Sequence, residues 1–243
     1  MPHFFINSED INDNKIEFSQ DYKHLVKALR LRVGEKLLLI DEKAVQYETV
    51  VEEIKTETIV AEIKNSYPSK RELDFELHLA QTPLRSDAQA LIVEKSTELG
   101  VCKLHPIYTD NCALAKDVIN KKIEKWQKIM VESSKQCERA KIPTCENLTT
   151  LENLVNSSDF DRIIAFCERN TELPLKKYLR NVPIKTGEKI LVIIGPEGGF
   201  SEREFGLFKT HDKIIMASLG DLILRAETAV IMGLGNIIYE SKN

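Results

Sequence analysis

Two styles of hydrophobic patterning meet near Ser66-Tyr67-Pro68-Ser69-Lys70. Before this point apolar residues come in short β-type runs at 4–6, 36–40, 45–51 and 56–63. In the last run Ile59, Ala61 and Ile63 alternate with Val60 and Glu62, the two-residue period of a strand with one buried face. A helix over 21–31 interrupts the runs and puts Leu25, Ala28 and Leu29 on one face. Short strands and one helix in about 70 residues predict a small barrel-like domain.

Past the boundary, strand and helix patterns alternate. Strands are predicted at 73–80, 101–108, 162–167, 189–194 and 213–217. Helices are predicted at 86–99, 117–140, 201–208 and 226–239, with a shorter helical stretch around 175–179. Ser86 and Gly100 stand where the first helix needs its start and stop signals, and Pro143 ends the long one. The run 189–194 is almost continuously β-branched, which suits a strand buried on both faces. Such alternation predicts a mainly parallel sheet covered by helices, with ligands bound beyond the carboxyl ends of its strands. The chain therefore divides into domains at 1–68 and 73–243.

Composition narrows the class. A length of 243 residues with 42% hydrophobic and 30% charged positions suits a soluble globular protein. The five cysteines (102, 112, 137, 145 and 167) contain no C-x-x-C pair, which excludes a zinc ribbon and argues against a secreted disulfide framework. The chain turns acidic at Glu9 and Asp10, too early for a signal peptide, and no apolar run reaches membrane-spanning length. A cytoplasmic protein with neither metal nor membrane partner is expected. The net charge of −4 runs against a nucleic-acid partner. Residues 116–141, however, hold eight basic side chains against four acidic ones, a pattern that fits either RNA contact or a solvated helix face.

Two segments carry the candidate chemistry. In Gly195-Pro196-Glu197-Gly198-Gly199-Phe200-Ser201 a buried strand runs into a glycine-rich turn that opens a helix, with Ser201 and Glu204 at capping-box spacing. The loop lacks the lysine and hydroxyl of a phosphate-binding loop and the G-x-G-x-x-G of a dinucleotide site. Glu197, Glu202 and Glu204 oppose an anion there, so a neutral or cationic ligand fits better. The second segment, Ser218 to Ala229, also joins a strand to a helix. Leu222, Ile223 and Leu224 offer apolar contact and main-chain groups to an adenine ring. Arg225 either faces a reacting group or pairs with Glu227. The helix beyond is apolar around much of its circumference, as in a core or a subunit interface.

Five motifs in order resemble the ribosomal small-subunit RNA (uracil-N3)-methyltransferases of the SPOUT superfamily. They are His24-x-x-x-x-Leu29-Arg30, then Glu94-Lys95-x-x-Glu98-Leu99-Gly100-Val101, then Glu132-x-x-x-Gln136-Cys137-x-Arg139-x-x-x-Pro143, and the two segments above. Together they span almost the whole chain. The resemblance implies an α/β domain with a mainly parallel sheet and a C-terminal trefoil knot, preceded by a PUA-like β-barrel that binds RNA. It implies S-adenosyl-L-methionine held by Cys167, Gly195, Glu197, Gly198, Gly199, Ser218, Leu219, Gly220, Leu222, Ile223 and Leu224, and a homodimer acting on small-subunit ribosomal RNA. Uracil N3 carries a proton that must leave before it attacks a methyl group. Arg225 is the candidate for stabilising the resulting anion, since a guanidinium is no base. Glu227 either orients Arg225 or satisfies donors at the helix start. His3, Lys27, Arg30, Arg32, Gln136 and Arg139 are the candidate RNA contacts, the last two alternatively bracing the dimer. Family members often carry arginine where this chain has His3, and another in the stretch 111–116, where it has only Lys116. Action on another RNA or nucleoside atom, or a binding module without activity, remain the competing readings. A nucleotide hydrolase is disfavoured by the missing phosphate-binding lysine.

Overall fold

The computed structural model describes residues 3–157, 159–168 and 173–241. It divides into two compact units, and each is built from its own core.

The first unit comprises residues 1–72 together with Ser134–Ile142. Its strands are β1 (His3–Phe5), β2 (Ile11–Asn12), β3 (Lys15–Phe18), β4 (Lys36–Ile40), β5 (Val45–Ile54) and β6 (Ile59–Pro68). They form one sheet in the order β1-β4-β5-β6-β3-β2, antiparallel throughout except for the β1–β4 pair. Alternation explains the packing of β3: Ile16 and Phe18 are buried while Lys15 and Glu17 face outward. The helix predicted over 21–31 shrinks to a five-residue π-type turn, His24–Ala28. Leu25 is the buried residue of this turn, Leu29 is exposed, and Arg30 turns the chain at φ 55, so Leu31 enters the core beyond the turn. The later segment is tied in by ions: Lys135 reaches Asp21 at 2.7 Å and Arg139 reaches Glu72 at 2.6 Å.

The second unit holds β7 (Glu76–Gln81), β8 (Lys103–Tyr108), β9 (Thr144–Cys145), β10 (Thr149–Thr150), β11 (Arg162–Phe166), β12 (Lys189–Ile194) and β13 (Ile214–Ala217). The order is β10-β8-β7-β12-β11-β13, with β9 also on β8, and every pairing is parallel. Helices α1 (Ser86–Glu98), α2 (Lys116–Asn120), α3 (Ile123–Gln136), α4 (Leu151–Val155), α5 (Leu175–Asn181), α6 (Glu202–Thr210) and α7 (Ala226–Ser241) connect the strands. The last three residues of α3 belong to the first unit. The long helix predicted over 117–140 is thus two. It breaks after Asn120, a weak helix former, and ends where Glu138 adopts φ 59.

The sheet is buried on both faces. Ile190, Val192 and Ile194 of β12 enter one core with α1, α5 and α7, while Leu191 and Ile193 enter the other with Phe160 and Phe208. Helix α7 sits hard against β11, because a Cβ on Gly233 would lie 2.4 Å from the Phe166 ring. Among the described residues no helix is long and apolar enough to cross a membrane.

Candidate functional site

Three loops start side by side at the carboxyl ends of adjacent parallel strands. Ala165 of β11 pairs with Ile193 of β12 and with Met216 of β13, and Phe166 pairs with Ala217. The chain therefore leaves the sheet at Gly195, Cys167 and Ser218 within neighbouring strand positions, about 4.8 Å apart per strand. The Cys167 amide donates to the Ala217 carbonyl at 3.1 Å. The Ser218 amide donates to Leu173, and its carbonyl accepts from Leu175. Parallel-sheet topology thus gathers the two predicted segments and Cys167, which lie far apart in the chain, at one edge.

The glycine loop is packed from inside and held from outside. A Cβ at Gly195 would lie 3.0 Å from the Phe200 ring, and Phe200 itself packs edge-on against Phe208. Gly199 adopts φ +71, a conformation that favours glycine, and donates to Pro196 at 2.9 Å. The capping box forms as predicted: the Ser201 hydroxyl accepts from the Glu204 amide, and the Glu204 carboxylate accepts from the Ser201 amide. Glu204 is buried and spent on this cap and on the Asp110 amide, 3.0 Å away, whereas Glu197 and Glu202 stay exposed.

From outside, the β8–α2 connection grips this region. Asn111 donates to the carbonyls of Gly198 and Gly199 at 3.3 and 3.0 Å. Asp110 accepts from the Ser201 hydroxyl at 2.5 Å and from Arg203 at 2.7 and 3.1 Å. Arg203 holds the Asp110 carboxyl below its usual range, with Ser201 adding to the effect. Glu168, just past β11, comes within 3.8 Å of where a Gly199 Cβ would stand. Neither Asp110, Asn111 nor Glu168 was marked by any local sequence pattern.

The second loop is more open. Ser218 and Gly220 close a tight turn through the Ser218 hydroxyl, and Gly220 takes φ +134. Leu222 is 80% exposed and Ile223 62%, while Leu224 is half-buried. Arg225 is exposed, Glu227 is half-buried, and among the described residues neither makes an ion pair. Cys167 is buried, and burial pushes its thiol up to about 12, which suits an apolar wall and not a nucleophile. A groove of about 250 Å³ lies elsewhere, at the ends of β8 and β10 beside Tyr108 and Lys116.

In the first unit Lys27, Arg30 and Arg32 are exposed along one short segment, and Gln136 is exposed as well. Two expected RNA contacts have no surface to offer. His3 is fully buried against Phe5, and desolvation holds its pKa below the ordinary value. Arg139 is 4% exposed, its guanidinium engaged by Glu72.

A small β unit ahead of a parallel α/β sheet, with a glycine loop at the strand ends, is the build of an RNA methyltransferase. Residues 71–238 match the RNA methyltransferase domain, and residues 19–64 match the RNA methyltransferase PUA domain. Ribosomal RNA small subunit methyltransferase E of Aquifex aeolicus is 30% identical over 94% of this chain and 96% of its own length. The Rickettsia conorii protein of the same name is 29% identical over 96% of this chain and 93% of its own. A Legionella pneumophila methyltransferase, solved in complex with bound cofactor SAM, superposes with a TM-score of 0.83 at 27% identity, covering 98% of this chain and 96% of that one. The chain belongs to the ribosomal RNA small subunit methyltransferase E family, the one its five motifs resemble.

Proposed function

We propose that the chain transfers the methyl group of S-adenosyl-L-methionine to N3 of a uridine in small-subunit ribosomal RNA. The observation that carries this reading is the convergence of the Gly195–Gly199 loop, Cys167 and the Ser218–Leu224 loop at three adjacent strand ends. The residues fit the donor's chemistry. Glycines leave main chain open to a flat nucleoside. Glu197 and Glu168 place negative charge where a sulfonium is welcome. Leu222 and Ile223 are large apolar side chains awaiting cover. In this reading Gly195, Glu197, Gly198, Gly199, Ser218, Leu219, Gly220, Leu222, Ile223, Leu224 and Cys167 hold the donor, which supplies an electrophilic methyl group when bound.

Arg225 stands at the start of α7 without an acidic partner among the described residues. Its guanidinium stabilises the negative charge left on the uracil when the N3 proton departs. Glu227, half-buried in the first turn of α7, favours the positive end of that helix. The N-terminal domain over 1–68 docks RNA through Lys27, Arg30 and Arg32, with Gln136 adding a contact. The domain over 73–243 carries the chemistry, its last third threaded as a trefoil knot. A homodimer in the cytoplasm accounts for exposed Ile231, Met232 and Tyr239 on α7.

Replacing Arg225 by alanine tests the assignment. Single-turnover methylation should fall about 10²- to 10³-fold, the cost of losing one oriented donor. Donor affinity measured by calorimetry should stay within about threefold, since the binding loops are untouched. Full turnover in Arg225→Ala removes Arg225 from the mechanism.

A further inference from the structure

The glycine loop cannot hold a ligand unless its peptide planes are fixed, and among the described residues the loop makes one main-chain hydrogen bond of its own, from Gly199 to Pro196. Further restraint on its peptides comes from a residue 87 and 88 positions earlier in the chain. The Asn111 side chain donates to both the Gly198 and the Gly199 carbonyls, and its Cβ lies 3.3 Å from where a Gly198 Cβ would stand. We propose that Asn111 is a positioning residue for the methyl donor, a clamp that fixes the two glycine peptides of the binding loop. This rests on the reading that the Gly195–Gly199 loop holds S-adenosyl-L-methionine.

The geometry explains why the residue must be an amide. Both acceptors are carbonyls, so the clamp needs two donors on one short side chain, which an asparagine NH2 provides and a carboxylate does not. Each peptide is planar and trans, so drawing its carbonyl toward Asn111 turns its N–H to the opposite side. The neighbouring Asp110 secures the other end of the same turn through Ser201, Arg203 and the start of α6. Two adjacent residues of the β8–α2 connection therefore hold the loop and the helix that follows it. Asn111 is exposed and lies outside both hydrophobic cores of the unit, so its removal should leave the fold intact.

The test compares the full chain with Asn111→Asp and Asn111→Ala. Donor affinity is read by calorimetry, turnover at saturating donor on small ribosomal subunits, and stability by thermal melting. Asn111→Asp keeps the shape but sets an acceptor against two carbonyls, so donor Kd should rise more than about tenfold. Asn111→Ala should raise it about three- to tenfold. Turnover at saturation should stay within about twofold and melting within about 2 °C for both. Asn111→Asp binding the donor as tightly as the unaltered chain overturns the clamp, because a space-filling role is kept by an isostere. A fall in melting temperature that accounts for the lost binding overturns it too. If the unaltered chain binds no S-adenosyl-L-methionine, the cofactor reading fails first and the clamp falls with it.

Discussion

Changing Gly233 to alanine adds one methyl group to α7 and pits two effects of known size against each other. In an open helix position the substitution stabilises by about 1 kcal/mol, because alanine loses less backbone entropy. Here the new Cβ would sit 2.4 Å from one Phe166 ring atom and 3.0 Å from two more, against an ordinary carbon contact of about 3.5–4.0 Å. Phe166 is 8% exposed on a strand paired on both sides, so the ring has little room to yield. Overpacking of this kind costs about 1–3 kcal/mol, and a shortfall above 1 Å belongs at the upper end. The net expectation is a destabilisation of about 2 kcal/mol, or about 4–8 °C in Tm for a chain of this size. Gly206→Ala in α6 is the control, since nothing lies within 4 Å of its Cβ position and only the helix gain applies. Thermal melting followed by circular dichroism should move in opposite directions for the two variants. Adding Phe166→Leu to Gly233→Ala should recover part of the loss, a coupling expected only of residues in contact. A Gly233→Ala protein that melts at or above the unaltered chain refutes the reasoning.

Acid should weaken the second unit before its carboxylates titrate. His78 and His105 stack there with ring nitrogens 3.0 Å apart, and burial lowers both, His105 to about 3 with His78 adding to the effect. The unfolded chain takes up these protons near pH 6.5 and the fold refuses them, so this stability is complete above pH 6.5 and lost as pH falls toward 3. Glu76 faces His78 and softens its shift, while Lys103 and Lys189 reinforce it. By pH 5 the loss from His105 reaches up to about 2 kcal/mol in urea unfolding, and leucine at both positions should flatten most of it. Equal stability at pH 7 and pH 5 contradicts this. For RNA, Lys27→Ala, Arg30→Ala and Arg32→Ala should each reduce the salt dependence of binding by about one phosphate contact. Arg139→Ala should instead cost about 2 kcal/mol of stability by breaking the ion pair with Glu72, which keeps its amide donors, and an altered salt slope with an unchanged melt would reverse that assignment.

The sequence was readable where structure is made by neighbours along the chain. Strands β4 and β12 begin and end at the residues their patterns indicate, because continuous apolar runs met turn signals on both sides. The Ser201–Glu204 cap was legible for the same reason, both partners lying within one turn. Helices α2 and α3 look like one helix in the sequence because their charge and apolar patterns continue through the break at Asn120. Strands β9 and β10 have two residues each and carry no period at all. The site divides likewise. Its glycines and leucines stand out locally, whereas Asp110, Asn111 and Glu168 reach them only through strand order. Burial of His3 and Arg139 was equally invisible, since a charge in the sequence does not reveal whether a partner such as Glu72 encloses it.

The central claim is tested most directly by incubating the purified chain with methyl-labelled S-adenosyl-L-methionine and small ribosomal subunits that lack the modification, then digesting the RNA to nucleosides. Label should appear in 3-methyluridine and be lost with Arg225→Ala. Label in a different nucleoside, or none from a protein shown to bind the donor, contradicts the assigned target and reaction.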